Sequence, residues 1–201
     1  AFIVLHGVGG EDGVMQAVLQ MAGIPYTGSG VLASALAMDK WRTKQLWQAQ
    51  GLSTPRYLLL DEQADWAAAM SLLGDAAIVK PACEGSSMGM RKVDNADALR
   101  EAFYFARDFA GAVLAETWIQ GSEYTVAILA GKALPAIRLV TGREFYDFEA
   151  KYLSDSTQYL CPCGLSEEKE AELQQLALKA FDAVGCKGWG RVDVMCNERG
   201  E

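Results

Sequence analysis

Charged side chains interrupt several segments of the chain that are otherwise apolar. These residues are Lys80, Glu116, Arg191 and Asp193. A charge in a buried strand is unfavourable unless it is paired or hydrogen-bonded. One such residue alone would indicate a satisfied ion pair in the core. Several of them, with Arg191 and Asp193 spaced to lie on one face of a strand, predict a polar cleft between two sheets.

A segment of small residues follows Lys80 and adds to this pattern. Residues 83–90 contain Glu84, Gly85, Ser86, Ser87 and Gly89. Glycines let the backbone approach a ligand closely, the N–H groups of such a loop form a concave anion site, and a fixed lysine suits phosphate. On this segment alone, a hairpin with a solvated lysine is an equally good interpretation.

Two other nucleotide-binding patterns do not fit. Residues 28–33 have the glycine spacing of a dinucleotide-binding loop, but the acid required about twenty residues later is absent from residues 48–54. Residues 131–133 read Gly-Lys-Ala, whereas a P-loop requires Ser or Thr after the lysine. The predicted cleft is therefore the candidate nucleotide site. There Asp193 would help to hold Mg²⁺, and Arg191 would stabilise negative charge developing on a reacting carboxyl.

The elements that must position these residues begin with a predicted buried strand at 2–6. A glycine loop and a helix from Val14 follow, with Glu11 and Asp12 expected in the first helical turn, where the macrodipole favours acids. A second helix is predicted at 31–39 from its apolar spacing. Together these segments indicate a strand, a loop and helices of an α/β unit.

The next predicted helix, 39–51, carries the cations Lys40, Arg42 and Lys44, a spacing typical of a solvated face. Beyond it, the spacing of apolar residues predicts the remaining helices and strands of the chain. The predicted elements are strand 57–60, helix 62–73, strand 77–81, a strand from 91, helix 95–109, strand 113–119, strand 125–129, a hairpin into 133–140, a mobile loop at 154–158, a helix from 166 to 185, and a buried strand at 188–195.

Composition narrows the function classes. The chain has 201 residues, is 51% hydrophobic and carries a formal net charge of -8, so it can bury a core and is an unlikely partner for nucleic acid. Its five cysteines and one histidine fit neither a disulfide framework nor a structural zinc site, and favour a reducing, cytoplasmic location. The sequence shows no pattern of a secretory leader and no apolar run long enough to span a bilayer.

Motifs along the whole chain resemble those of bacterial D-alanine–D-alanine ligases. They are His6-Gly7-x-Gly9-Gly10-Glu11-Asp12-Gly13, Pro25-Tyr26-Thr27-Gly28-Ser29-Gly30, Met38-Asp39-Lys40, Glu84-Gly85-Ser86-Ser87-x-Gly89, Tyr146-Asp147-x-Glu149-Ala150-Lys151-Tyr152 and Gly188-x-Gly190-Arg191-x-Asp193. The resemblance implies an ATP-grasp fold of class α/β (α+β), with the nucleotide between two sheet-containing subdomains. It implies part of an N-terminal α/β domain at 1–39, a central subdomain at 40–119 and a C-terminal subdomain at 120–201.

The resemblance also implies a reaction and a set of residue roles. ATP phosphorylates one D-alanine, the amine of a second D-alanine attacks the acyl phosphate, and ADP and phosphate leave. The implied ATP-binding residues are Lys40, Lys80, Glu84, Gly85, Ser86, Ser87, Glu116, Thr117, Trp118, Ile119, Glu123, Phe145 and Lys151. The implied catalytic residues are Arg191, Ser86, Tyr152 and Lys151, the substrate contacts are His6, Tyr152 and Arg191, and the metal ligand for Mg²⁺ or Mn²⁺ is Asp193. A homodimer is implied for the full-length protein.

Some features depart from the family or leave alternatives open. Thr117 stands where relatives often have lysine, which would loosen a contact at the adenine edge. Both ends of the chain look cut: a glutamate that grips the first D-alanine would precede residue 1, and Glu-x-Asn metal ligands would follow Glu201, so we expect the isolated chain to be inactive. The alternatives are a ligase that joins D-alanine to D-lactate or D-serine, which Tyr152 disfavours, and a nucleotide-binding fragment without catalysis.

Overall fold

The structure is a computed structural model that describes residues 1–85, 88–109, 111–141 and 157–201. Helices and antiparallel strands alternate along the chain. Their bounds are α1 Val14–Met21, α2 Val31–Met38, α3 Lys40–Ala49, β1 Tyr57–Leu60, α4 Trp66–Leu73, β2 Ala77–Pro81, β3 Arg91–Val93, α5 Ala96–Ala106, β4 Val113–Thr117, β5 Gly121–Leu129, β6 Lys132–Ala133, β7 Ile137–Val140, β8 Gln158–Leu160, α6 Glu167–Ala183 and β9 Trp189–Asn197. Within the described ranges, no helix is both long and apolar enough to cross a membrane.

The first sheet has the strand order β1-β4-β2-β3, and all its pairings are antiparallel. Alternate residues of its two central strands, including Val79 and Ala115, pack against α4 and α5 in one apolar core. Because side chains alternate between the faces of a strand, Lys80 and Glu116 lie on the opposite face. Ile78 is paired in register with Glu116, so that Lys80 is the diagonal neighbour of this carboxylate.

The second sheet has the order β6-β5-β7-β8, with β9 paired along β5. Val126 and Ile128 of β5 are fully buried beneath α6. The alternate residues face away from this core, and the register sets Thr125 opposite Asp193. Each sheet therefore has one face covered by helices and a second face that is partly polar.

The first helices and the segment between them contact α6 and the start of β9. Trp47 of α3 donates its indole N–H to the carbonyl of Ala180 in α6 at 3.0 Å. The backbone N–H of Lys187 donates to the Ser29 hydroxyl at 3.1 Å, and a Cβ built on Gly28 would lie 3.2 Å from the indole nitrogen of Trp189. The segment between α1 and α2 thus contacts the turn that begins β9.

Some elements differ from the sequence-based predictions. Residues 2–6 are not a strand, and their apolar side chains at positions 2, 4 and 5 are more than half exposed. No strand in the described ranges pairs with this segment, so it has no inter-strand hydrogen bonds that would make it part of a sheet. Helix α4 begins at Trp66 rather than at residue 62, because the Asp65 side chain caps it by accepting a hydrogen bond from Ala68 N–H.

The acids before α1 also differ from the prediction. Glu11 and Asp12 precede the helix rather than lie in its first turn. Glu11 accepts a hydrogen bond from the N–H of Gly7 at 2.6 Å, and Asp12 accepts one from the N–H of Gly9 at 2.8 Å. The hydrogen bonds from the N–H groups of Gly9 and Val14 lower the pKa of Asp12 below its ordinary value. The acids therefore hold the glycine loop in shape.

Candidate active site

A cavity of about 690 Å³ lies between the two polar sheet faces. The predicted site residues that line it are Lys40, Lys80, Glu84, Gly85, Glu116, Thr117, Trp118, Ile119, Glu123, Arg191 and Asp193. The cleft predicted from the sequence is therefore present, and both sheets contribute charged residues to it.

The carboxylate of Glu116 is the centre of the first wall. Its Oε1 lies 2.7 Å from Lys80 Nζ, and its Oε2 lies 3.5 Å from Lys44 Nζ. Burial raises the pKa of Glu116, but the two ammonium groups and their hydrogen bonds outweigh it and hold the pKa below its ordinary value. Glu116 is therefore an anion that binds two lysines at once.

Lys44 is buried beside this carboxylate, with a side chain only 5% exposed. Its ammonium group donates a hydrogen bond to the Thr54 hydroxyl at 2.6 Å. Burial, opposed by Glu116 and assisted by the nearby Lys80, lowers the pKa of Lys44 to about 8. The expectation that the cations of α3 form a solvated face is wrong for this residue.

The local sequence explains why Lys44 faces inward. The Asp39 side chain caps α3 by accepting a hydrogen bond from Arg42 N–H at 3.0 Å. This cap fixes where the helix begins, and residues four apart then share one face. Lys40 and Lys44 lie on the inner face, whereas the Arg42 side chain is 57% exposed. The spacing of Lys40 and Lys44 after an N-cap is the signal that could have identified Lys44.

Lys40 connects α3 to the start of the small-residue segment 83–90. Its Nζ donates to the carbonyls of Pro81 and Ala82 at 3.4 Å each, and also to the carbonyl of Glu84. An ammonium group has three donors, and the two contacts of 3.4 Å are longer than ordinary N–H···O hydrogen bonds, so a donor remains for a phosphate oxygen. Burial, with Lys80 as a second cause, lowers the pKa of Lys40 to about 8.

On the second wall, Arg191 and Asp193 form an ion pair with two contacts. Arg191 Nε lies 2.9 Å from Asp193 Oδ1, its second guanidinium contact to Oδ2 is 3.1 Å, and the Thr125 hydroxyl donates to Oδ1 at 2.8 Å. Their side chains are 64% and 47% exposed, so the prediction of a buried strand here is wrong. The cavity keeps this face of β9 open, and only the alternate residues pack on α6.

The metal-binding capacity of this wall is limited in the part of the chain that the structure describes. No group of three or more His, Cys, Asp or Glu side chains there is arranged to hold a metal ion. Asp193 offers one carboxylate to the cavity. This suits an ion such as Mg²⁺, which is often held by one or two carboxylates together with phosphate oxygens.

The end of β4 forms one side of the cavity. The Thr117 hydroxyl donates to the carbonyl of Leu73 at 2.7 Å, so that this side chain holds β4 against the end of α4. The backbone N–H of Trp118 donates to the carbonyl of Ala76 at 2.9 Å. These bonds fix the direction of the chain as it passes along the cavity.

Of the predicted site residues that the structure describes, one does not lie at this cavity. His6 is exposed and does not line it. The residues Ser86, Ser87, Phe145, Lys151 and Tyr152 lie outside the described residues, as does most of the predicted mobile loop. Sequence reasoning missed Lys44 in the network, and also Glu11 and Arg138 in the cavity lining. No sequence signal placed Arg138, because its position depends on which face of β7 turns toward the first sheet.

Comparisons with known proteins agree with this architecture. The family model described as D-ala D-ala ligase C-terminus matches residues 46–201. The D-alanine--D-alanine ligases of Ectopseudomonas mendocina and Saccharophagus degradans are each 60% identical to the chain, over 100% and 99% of it. The chain spans only 64% and 63% of the length of these two relatives.

Solved structures give the same result. A D-alanine--D-alanine ligase from Bacillus anthracis complexed with ATP matches with a TM-score of 0.84 and 31% identity, over 98% of this chain and 64% of that one. The VanG D-Ala:D-Ser ligase from Enterococcus faecalis matches with a TM-score of 0.85 and 32% identity, over 100% of this chain and 60% of that one. These similarities confirm the ATP-grasp fold predicted from the sequence.

Proposed function

Because the chain belongs to the D-alanine–D-alanine ligase family, we propose that the protein containing it joins two D-alanine molecules in a reaction driven by ATP. The products are D-alanyl-D-alanine, ADP and phosphate, and the dipeptide supplies peptidoglycan synthesis. The observation that carries this proposal is the cavity between the two sheets, with Lys40 and Lys80 on one wall and Arg191 and Asp193 on the other.

The residues of the cavity suit a nucleoside triphosphate. The ammonium groups of Lys40 and Lys80 favour phosphate oxygens, because a compact cation in a partly buried site attracts an anion strongly. Apolar side chains line the same cavity and suit the adenine base: Ile78, Met90, Trp118 and Ile119. In addition, one of the solved relatives is described as complexed with ATP.

Five of the described residues that line the cavity have specific proposed tasks. Lys40 and Lys80 bind the phosphates, and Glu123 binds the ribose. Arg191 stabilises the negative charge of the tetrahedral centre formed when the amine attacks the acyl phosphate. Asp193 holds the Mg²⁺ or Mn²⁺ ion, which neutralises phosphate charge when it is bound.

The other predicted tasks belong to residues outside the described ranges. We propose that Ser86 and Tyr152 connect the small-residue segment 83–90 to the base of the predicted mobile loop. Phe145 would pack near the adenine, and Lys151 would reach the transferred phosphoryl group. His6 is retained as a proposed contact of the first D-alanine.

The choice of D-alanine as the second substrate rests on the relatives of higher identity. Those that are 54–60% identical are named D-alanine--D-alanine ligases. The VanG structure is described as a D-Ala:D-Ser ligase and matches as well as the D-alanine ligase structures do. The fold alone therefore does not select the acceptor, and D-serine is the competing candidate.

The organisation of the full-length protein is also proposed. The divisions at residues 39 and 119 would separate a part of the N-terminal domain from two ATP-grasp subdomains, and the sheets described here fall on either side of the second division. We further propose a cytoplasmic location, because ATP and the dipeptide precursor are cytoplasmic metabolites, and a homodimer, which the family resemblance implies.

A coupled assay on a full-length protein that contains this chain tests the proposal. With ATP, Mg²⁺ and D-alanine we expect ADP release in a one-to-one ratio with D-alanyl-D-alanine. Replacing half of the D-alanine with D-serine or D-lactate at neutral pH should leave the dipeptide as the main product. Arg191→Met should lower kcat strongly, whereas Arg199→Met, in the turn after β9, serves as its control. Nucleotide binding without ADP release would instead support a binding protein without catalysis.

A further inference from the structure

Lys44 is a buried cation with no role in the function proposed above. It lies on α3 behind the cavity wall and does not line the cavity. Its side chain contacts groups from each neighbouring element: the Thr54 hydroxyl, the Glu116 carboxylate, and the ring of Tyr57 at 5.1 Å. Lys80 approaches the same carboxylate from β2. A lysine in such a place is rarely this buried unless it is paired.

We propose that Lys44 is a positioning residue for the nucleotide phosphates: by holding one oxygen of Glu116, it prevents that carboxylate from neutralising Lys80. The inference rests on the proposed function, because it assumes that Lys80 binds a polyanion. Lys44 itself would not touch the nucleotide. It would act through Glu116, which connects it to the cation at the cavity surface.

The geometry of the carboxylate supports this role. Glu116 gives Oε1 to Lys80 at 2.7 Å and Oε2 to Lys44 at 3.5 Å. One negative charge is thus shared between two ammonium groups, and Lys80 is close enough to Lys40 to help lower the pKa of Lys40. The wall keeps an excess of positive charge, which an incoming triphosphate would balance. Without Lys44, Glu116 and Lys80 would form a neutral pair.

A purely structural role explains the contacts less well. A buried ion pair generally adds little stability compared with apolar side chains of similar volume. The pocket of Lys44 has the Tyr57 ring on one side, and an apolar side chain such as Met would fill it. A residue that only stabilised the fold would therefore leave nucleotide affinity unchanged when it is replaced and the fold is kept.

The test compares Lys44→Met with Lys132→Met, which removes one charge from an exposed position on β6. Affinity of the chain for a non-hydrolysable ATP analogue is measured by calorimetry between pH 6.5 and 9.5, and thermal melting checks the fold. We expect Lys44→Met to weaken binding of the analogue about tenfold, because it removes one unit charge from a partly buried site close to the phosphates. Lys132→Met should change affinity by less than about twofold, because exposed charges are screened.

A second set of variants separates charge from packing. Lys44→Arg keeps the positive charge and should restore most of the affinity, and it should keep that affinity at pH 9 better than the wild type does. In the full-length enzyme, Lys44→Met should raise the KM for ATP about tenfold with kcat changed by less than about twofold.

Each outcome is decisive. If folded Lys44→Met binds the analogue as tightly as the wild type, the inference is wrong. If neither the wild-type chain nor the full-length protein binds the analogue, the proposed function is wrong, and the inference that rests on it is overturned as well. If Lys44→Met does not fold, Thr54→Val replaces it, because it removes the hydroxyl that holds the ammonium group: weaker binding supports the inference, and unchanged binding overturns it.

Discussion

Replacing Glu116 by glutamine tests the charge network at its centre. The side chain is 9% exposed and holds the ammonium groups of Lys80 and Lys44. Glu116→Gln keeps the shape of the side chain but removes its charge, so that the two ammonium groups face each other without an anion. Breaking a buried ion pair by removing one partner typically costs about 3–5 kcal/mol. We expect the free energy of unfolding to fall by about 3 kcal/mol at pH 7.

The pH dependence makes this prediction specific. Burial lowers the pKa of Lys44 to about 8 in the folded chain, while Glu116 opposes the change. A lysine with a depressed folded pKa disfavours the folded state below that pKa, and this penalty is relieved as pH rises from about 8 toward the unfolded value near 10.4. Without Glu116 the pKa falls further, and the lysine loses its proton more easily. The loss caused by Glu116→Gln should therefore shrink to about half between pH 7 and pH 9.5.

The assay is urea unfolding of the chain at both pH values, with Glu101→Gln as the control. Glu101 is an exposed glutamate on α5, and its substitution should change stability by less than about 0.5 kcal/mol. In thermal melts, about 3 kcal/mol corresponds to a decrease of roughly 6–12 °C for a chain of this size. A loss below about 1 kcal/mol at pH 7, or a loss that does not change with pH, would refute the idea that Glu116 neutralises buried lysines.

Two further substitutions test other contacts. Gly28→Ala should destabilise the chain by about 1–3 kcal/mol more than Gly23→Ala does. Both glycines have positive φ, but only at Gly28 would the new Cβ meet another side chain, that of Trp189. Equal losses of stability in urea unfolding would contradict this contact. Asp193→Asn should change stability by less than about 1 kcal/mol, because the pair is half exposed, yet it should weaken binding of the ATP analogue only when Mg²⁺ is present. Asp97→Asn, at an exposed position on α5, is its control. If Asp193→Asn weakens binding equally with Mg²⁺ and with a chelator, Asp193 is not a metal ligand.

Much of the fold follows from local sequence patterns. The strands Tyr57–Leu60 and Ala77–Pro81 are found at their predicted bounds, because each of these apolar runs has β4 beside it as a pairing partner. The helices were also located, with shifts of a few residues at their ends. Such shifts arise because a capping side chain, such as Asp65, decides where a helix begins, and several residues nearby are capable of capping.

Burial was harder to predict than secondary structure. Residues 2–6 are apolar, yet they form no strand in the described structure, because a strand needs a partner that local sequence does not specify. Strand β9 was located, but its exposure was not, since β9 turns one face to an open cavity. Whether an apolar segment is buried depends on packing between distant segments, and the sequence of a single segment does not determine that packing.

The site shows the same division between local and distant information. Lys80 and Glu116 were identified because a charge in an apolar strand is conspicuous, whereas Lys44 lies among other polar residues of a helix and looks solvated. Its burial depends on Glu116, seventy-two positions later in the chain (116 − 44). A charge network is therefore recognised only from all its members together, and a cation that looks ordinary by itself becomes informative once its counter-ion is located.

The two walls of the cavity differ in how their charges are balanced, and this difference has a functional consequence. On the first wall, Lys80 shares its counter-ion with Lys44 and lies beside Lys40, so that positive charge is in excess in a partly buried place. On the second wall, Arg191 and Asp193 neutralise each other in a more exposed place. Because electrostatic attraction is stronger where water is excluded, the first wall should determine affinity for a polyanion. The second wall, where charges are more easily rearranged, is better suited to interact with groups whose charge changes during a reaction.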